Sequence, residues 1–172
     1  MSKAGIFKYY KNKQELFIAV VDRFWFSTQN PRNKFMETNG TFAEFIDEYV
    51  RGVQRTMDML GNLIGADREK VAQGKFTYHA QYFHFLFQLL QYDPDAKEKL
   101  RNLVEVDYAY WRAAIQRAIA TGELREDVDV EDAVVMFRQV YMGLSFEMSF
   151  LGGLNTEKLS KHLHAVYSLL KR

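Results

Sequence analysis

Apolar positions recur every three to four residues along most of this chain, and the strict alternation of a half-buried strand is missing throughout. That periodicity predicts an all-α fold. The opening stretch, Ser2 to Val20, reads as a short helix, a tight turn at Lys11-Asn12, and a longer helix from Lys13 to about Thr28. Ile6, Phe7 and Tyr10 form one apolar stripe before the turn, and Leu16, Phe17, Val20, Val21 and Phe24 form another after it. Asn12 has the short acceptor of an N-cap, and Glu15 is placed to return a bond to the cap's own N–H. Asn30-Pro31-Arg32-Asn33 then breaks the pattern, because proline removes a donor and restricts the residue before it.

Thr41-Phe42-Ala43-Glu44 is a second capping box. Phe42, Phe45, Ile46, Tyr49, Val50, Val53, Met57, Leu60 and Leu63 continue it as a helix to about Leu63. A loop follows around Gly65 to Lys70, with Gly74 as a stop. Phe76 to Tyr92 is apolar almost all round, which predicts an interior helix. Asp93 and Pro94 suit the cap and first position of a long helix ending near Thr121, where Gly122 supplies a left-handed stop. Asp129 is expected to cap a helix reaching about Leu151. Its apolar residues form two sets, Ala133, Val134, Phe137, Tyr141, Leu144 and Met148 against Met136, Val140, Met142, Phe146 and Phe150, so two of its faces call for cover. Gly152-Gly153 closes it, and Asn155-Thr156 starts a last helix with Leu159, Leu163, Val166 and Leu170 in register.

Length allows one or two domains with a substantial core: the chain has 172 residues. The net charge of +1 carries no global argument for a polyanion partner, so the basicity that counts is local. Lys3, Lys8, Lys11 and Lys13 crowd the start, and no acidic residue precedes Glu15. No cysteine occurs, which excludes a disulfide framework and thiolate metal sites and is compatible with the cytoplasm. No apolar run reaches the length of about 18 residues that a membrane helix needs, and no signal peptide is evident.

The spacing of Ser2, Lys3, Ile6, Tyr9, Asn12, Lys13 and Leu16 resembles the end of the DNA-binding domain of TetR/AcrR-type transcriptional regulators. In that family the recognition helix and the start of the next helix read roughly S-K-G-x-[LI]-Y-x-[HY]-F-x-[SN]-K-E-x-L. Phe7 and Tyr10 exchange the usual Tyr and Phe. Gly122-Glu123-Leu124-Arg125-Glu126-Asp127-Val128-Asp129 is similar to the G-E-[LI]-R-x-D-x-D loop of many ligand domains of the family. The resemblance implies a remnant of a helix-turn-helix domain over residues 1–28, lacking its first two helices, and a ligand-binding and dimerisation bundle over 29–172. The missing helices suggest a truncated gene product whose own DNA binding is weak and salt-sensitive, or absent.

Site residues follow from both readings. The resemblance puts Ser2, Lys3 and Gly5 near base edges and Tyr9 and Lys13 near the DNA backbone, and Lys8 and Lys11 of the same basic cluster are further candidate DNA contacts. The aromatic residues Tyr78, Tyr82, Phe83 and Phe87, with Tyr108, Trp111, Phe137, Tyr141 and Phe146, are candidates to line a pocket for an apolar or aromatic effector. His79, His84 and Gln88 could add polar tips. By the resemblance a homodimer would pack through Val134, Val140, Leu144 and Met148 of one helix and Leu159, Leu163, Val166 and Leu170 of the last. The histidine spacings suit no helical metal site, and no cofactor, membrane partner or catalytic constellation is expected. A ligand-responsive repressor, located in the cytoplasm, is the reading that results. The alternative is a helical interaction module without DNA or effector.

Overall fold

The computed structural model describes residues 9–35, 40–63 and 78–172. Among these every regular element is a helix, and the one β-type contact is an isolated bridge between Leu124 and Lys171. The chain begins with α1 (Lys13–Val20), passes through a π-helical segment (Val21–Trp25) into the short α2 (Phe26–Gln29), and turns at a 3-10 segment, Pro31–Asn33. Then come α3 (Phe42–Leu63), α4 (Tyr78–Tyr92), α5 (Ala96–Ala120), α6 (Val130–Ser149) and α7 (Thr156–Leu170).

Local chemistry explains most of these boundaries. Asn12 Oδ1 accepts the Glu15 N–H at 2.8 Å, while the Glu15 carboxylate reaches one residue further back than expected, to the Lys11 N–H. Thr41 and Glu44 close a full reciprocal box on α3. Asp129 caps α6 and Asn155 caps α7 through their side chains. Asn33 donates to the carbonyls of Ser27 and Thr28 and so finishes α2. The expected start of α5 is corrected: it begins at Ala96, because the Asp93 carboxylate accepts the Asp95 N–H and leads a preliminary turn. Gly122 ends α5 with a positive φ of 75°, as a left-handed stop requires.

The main core is built on Trp111 of α5, which is fully buried. Phe137 of α6 stacks on it at 4.9 Å, and Phe45 and Tyr49 of α3 meet it edge-on. Ile46, Val53, Ile115, Leu159 and Leu163 fill the same cluster, so α3, α5, α6 and α7 share one interior. Gly52 lets α3 approach the loop before it: any side chain there would overlap the backbone of Lys34. A second, smaller cluster joins Val21 and Trp25 to Leu89 and Ala96.

Helix α4 departs from the interior position that its all-round apolar character predicts. Phe83 and Leu89 are buried, but Phe87 is 62% exposed and Leu90 and Tyr92 are also open. Its inner side packs on α6, and nothing in the described residues covers its outer side. The two-faced reading of α6 fares differently. Ala133, Val134, Phe137 and Tyr141 enter the core, while Val135, Met136, Phe146 and Phe150 remain exposed.

Candidate effector cleft

Where α2, α3, α4 and α6 converge, a cleft of about 400 Å³ opens, counting its mouth. Most of that is open mouth: the enclosed space holds about one water, so the walls must part to admit a small molecule. Its walls are Gln29 from α2, Val53, Thr56, Met57 and Leu60 from α3, Tyr82 and Phe83 from α4, and Tyr141, Met142 and Ser145 from α6. Helical spacing explains the contributions: 53, 56, 57 and 60 lie on one side of α3, as 141, 142 and 145 do on α6. Thr56 turns its hydroxyl back to the Gly52 carbonyl at 3.0 Å, which leaves its apolar part to the cleft.

Of the expected pocket residues, the structure brings Tyr82, Phe83 and Tyr141 together on the cleft wall. Trp111 and Phe137 are fully buried behind it in the core, reached through Tyr49, whose ring lies 5.8 Å from that of Tyr141. Tyr108 packs half-buried against the same core. Phe146 is largely open but holds Phe83 edge-on at 5.2 Å, and Phe87 points to the surface. The side chains of Tyr78 and His79 lie outside the described residues. The α2 and α3 wall escaped the sequence reading, although Thr56 is a polar position on an apolar stripe and marks that side.

Behind Tyr141 sits a buried ion pair that sequence reasoning also missed. Arg138 Nε and Asp107 Oδ2 are 2.6 Å apart, with little of either side chain exposed. The pair is not aligned as a hydrogen bond, and Arg138 Nη1 and Asp107 Oδ1 have no partner. Burial alone would lower the Arg138 pKa; the Asp107 carboxylate and the hydroxyls of Tyr49, Tyr141 and Tyr82 outweigh it, so the guanidinium stays charged. Burial, reinforced by the Asp107 charge, holds the Tyr49 hydroxyl well above its ordinary value. Tyr82 is raised for the same first reason, with Tyr141 adding to it.

The cleft is in contact with the N-terminal helices. Tyr82 stacks on Trp25 of the π segment at 5.7 Å, and Phe17 of α1 meets Phe85 and Tyr92. Lys99 bridges Asp22 at 2.7 Å and the buried Asp93 at 2.9 Å, and Gln14 donates to the Tyr92 carbonyl. Among the candidate DNA-contacting residues, Tyr9, Lys11 and Lys13 are exposed, and Lys11 pairs loosely with Glu15. Ser2, Lys3, Gly5 and Lys8 lie outside the described residues.

The residues expected at a dimer interface divide in two. Val134, Leu159 and Leu163 are fully buried within one chain and form its core. Val140, Leu144, Val166 and Leu170 are half-buried at the edge of that core, and Met148 is half-buried as well. The open apolar side chains of these helices are instead Val135, Met136, Phe146, Phe150 and Leu169. Gly143, beside them on α6, has open space around it. No described helix is long and apolar enough to cross a membrane.

Residues 69–146 match the family model of the tetracyclin repressor-like, C-terminal domain. No curated protein and no solved structure matches the chain. The matched span includes α4 and α5 and most of α6, and so takes in Tyr82, Phe83, Tyr141, Met142 and Ser145 of the cleft wall. The all-helical chain thus carries a region similar to the C-terminal domain of TetR-type regulators.

Proposed function

We propose that this is a ligand-responsive transcriptional regulator, acting as a repressor, in which residues 29–172 sense the effector and dimerise and residues 1–28 carry the reading end of a helix-turn-helix. It performs no catalysis and works in the cytoplasm as a homodimer. The observation that carries the reading is the Trp25–Tyr82 stack, since it joins a cleft wall to the helical segment that follows the basic N-terminus. An effector filling the cleft displaces Tyr82 and Gln29, and α1 moves with them. Two recognition helices in a dimer must meet major grooves about 34 Å apart, so a small tilt of each is enough to release DNA. The effector shifts this equilibrium only by its difference in affinity for the two arrangements.

A mobility-shift assay with DNA from directly upstream of the chain's own gene tests the reading. Compounds are first chosen by a thermal-shift screen of apolar and aromatic molecules. The expected result is a weak retarded band, seen only at low salt, that is lost when a stabilising compound is added. A compound that saturates the protein while leaving the DNA complex unchanged would overturn the proposal.

A further inference from the structure

Helix α6 presents two surfaces that border each other. Tyr141, Met142 and Ser145 line the cleft. Val135, Met136, Gln139, Gly143 and Phe146 are exposed and lie at helical spacing along its outer side, with Phe150 just past its end. Met142 and Phe146, one turn apart, mark the border. There a row of aromatic rings leads from the cleft to open surface. Phe83, a buried part of the cleft wall, meets Phe146 edge-on at 5.2 Å, and Phe146 meets Phe150 edge-on at 5.0 Å. Exposure rises along the row from 8% through 46% to 72%.

A molecule enters the cleft only when a wall yields, since the enclosed space is about that of one water. Helix α6 is the fixed wall, tied to α5 by the Arg138–Asp107 and Arg112–Glu131 pairs. Helix α4, whose outer side is open at Phe87 and Leu90, is the wall with room to move, and its Phe83 rests against Phe146. How firmly Phe146 stands depends on its own cover. With its outer side in water the ring keeps rotamer freedom; once covered it loses that freedom and becomes a fixed stop for Phe83. A second copy of the chain fits as the cover. Gly143 sits in the middle of the exposed stripe, and among the described residues nothing lies within 4 Å of where its side chain would stand. Glycine weakens a helix interior, and none of the described contacts calls for it here. It does let the backbone of another helix come close. A stripe that is apolar on both sides of this bare point can meet its own copy about a two-fold axis, as an isologous contact requires.

We infer that a second copy regulates the cleft through Phe146: dimerisation fixes that ring, holds Phe83 in place and keeps the cleft closed. A molecule that parts Phe83 from Phe146 then weakens the dimer by the same factor by which dimerisation weakens its binding. The inference rests on the homodimer reading given above and adds control of the cleft by the partner.

Hydrogen exchange read by mass spectrometry tests it without a ligand. The full chain is measured above and below its dimer dissociation constant, which sedimentation supplies. Residues 83–92 of α4 are expected to exchange at least about fivefold faster in the monomer, while Trp111 to Ala118 of α5 keep their rate. Two variants separate Phe146 from a general loss of interface area. Phe146→Ala and Leu169→Ala each trim an exposed apolar side chain, and both are measured where sedimentation shows dimers. In the first, α4 should exchange as fast as in the wild-type monomer; in the second, as slowly as in the wild-type dimer. Equal α4 exchange in monomer and dimer overturns the linkage and leaves the homodimer reading standing. A Phe146→Ala dimer with α4 as protected as in wild type does the same. A wild-type chain that is monomeric at every concentration overturns the homodimer reading and this inference together.

Discussion

At the scale of single residues, Glu123 shows how much one side chain in a polar loop organises. Its carboxylate accepts the Phe42 N–H at 2.8 Å, the Ala43 N–H at 3.3 Å and the Tyr167 hydroxyl at 2.8 Å. It therefore caps α3 from a distant loop and pins α7 to it, in the location where a helix dipole favours negative charge. The Tyr167 hydroxyl is pushed up to about 12, first by burial and then by the Glu123 bond. Its ordinary value is 10.0, so below that pH it is protonated in both folded and unfolded chains and its contribution is complete. Between 10 and 12 the unfolded chain releases the proton first, and stability declines as pH rises. Urea unfolding of wild type and Tyr167→Phe across this range checks the point. The wild type should lose an extra ~2 kcal/mol by the upper end relative to the variant. Parallel profiles would contradict it.

At the scale of elements, the connector formed by α1, the π segment and α2 is held less by its own helicity than by tertiary contacts. None of the α1 residues is fully buried, and its apolar side packs on α4 by Phe17 alone among the aromatics. Lys99 is the main polar tether, bridging Asp22 on the π segment and Asp93 before α5. Lys99→Met should leave Asp93 buried without its cation, at a cost of about 1–3 kcal/mol. Hydrogen exchange is then expected to quicken at residues 13–25 while α5 and α6 keep their protection. Uniform loss across all helices would show that the connector is not a separate unit.

What the sequence made legible at this scale is local. The caps at Asn12, Thr41, Asp129 and Asn155 need only a side chain and an N–H two or three residues on, so residue type and spacing reveal them. Helix spans follow from periodicity for the same reason. Whether an apolar side is covered, and by what, depends on the tertiary arrangement. That is why α4 was expected inside and why Val134, Leu159 and Leu163 read as contact residues although they are core. The Arg138–Asp107 pair was invisible on similar grounds: each is a charged residue inside an apolar stripe, and only the packing of α5 on α6 brings them together. Tyr82, Phe83 and Tyr141 stood out as candidates for the cleft wall because their helices are rich in aromatics, whereas Gln29 lies outside them.

At the scale of the whole molecule, the open apolar residues of α6 and α7 call for a partner. Exposed side chains scattered singly would need no explanation, but Val135, Met136, Phe146, Phe150 and Leu169 crowd two neighbouring helices. The expected assembly is a homodimer through this surface. Met136→Glu combined with Leu169→Glu removes no core side chain, since both residues are exposed. Light scattering should report a dimer for wild type and a monomer of unchanged helical content for the double variant. A wild-type monomer at micromolar concentration would direct the surface to a different partner.

In the proposed function, coupling between cleft and DNA passes through Trp25 against Tyr82. The most direct measurement is fluorescence anisotropy of labelled upstream DNA, titrated with a cleft-binding effector, in wild type and Trp25→Phe. The variant is expected to bind the effector with unaltered affinity but to need several-fold higher occupancy to release DNA. Identical release curves at equal occupancy would contradict it.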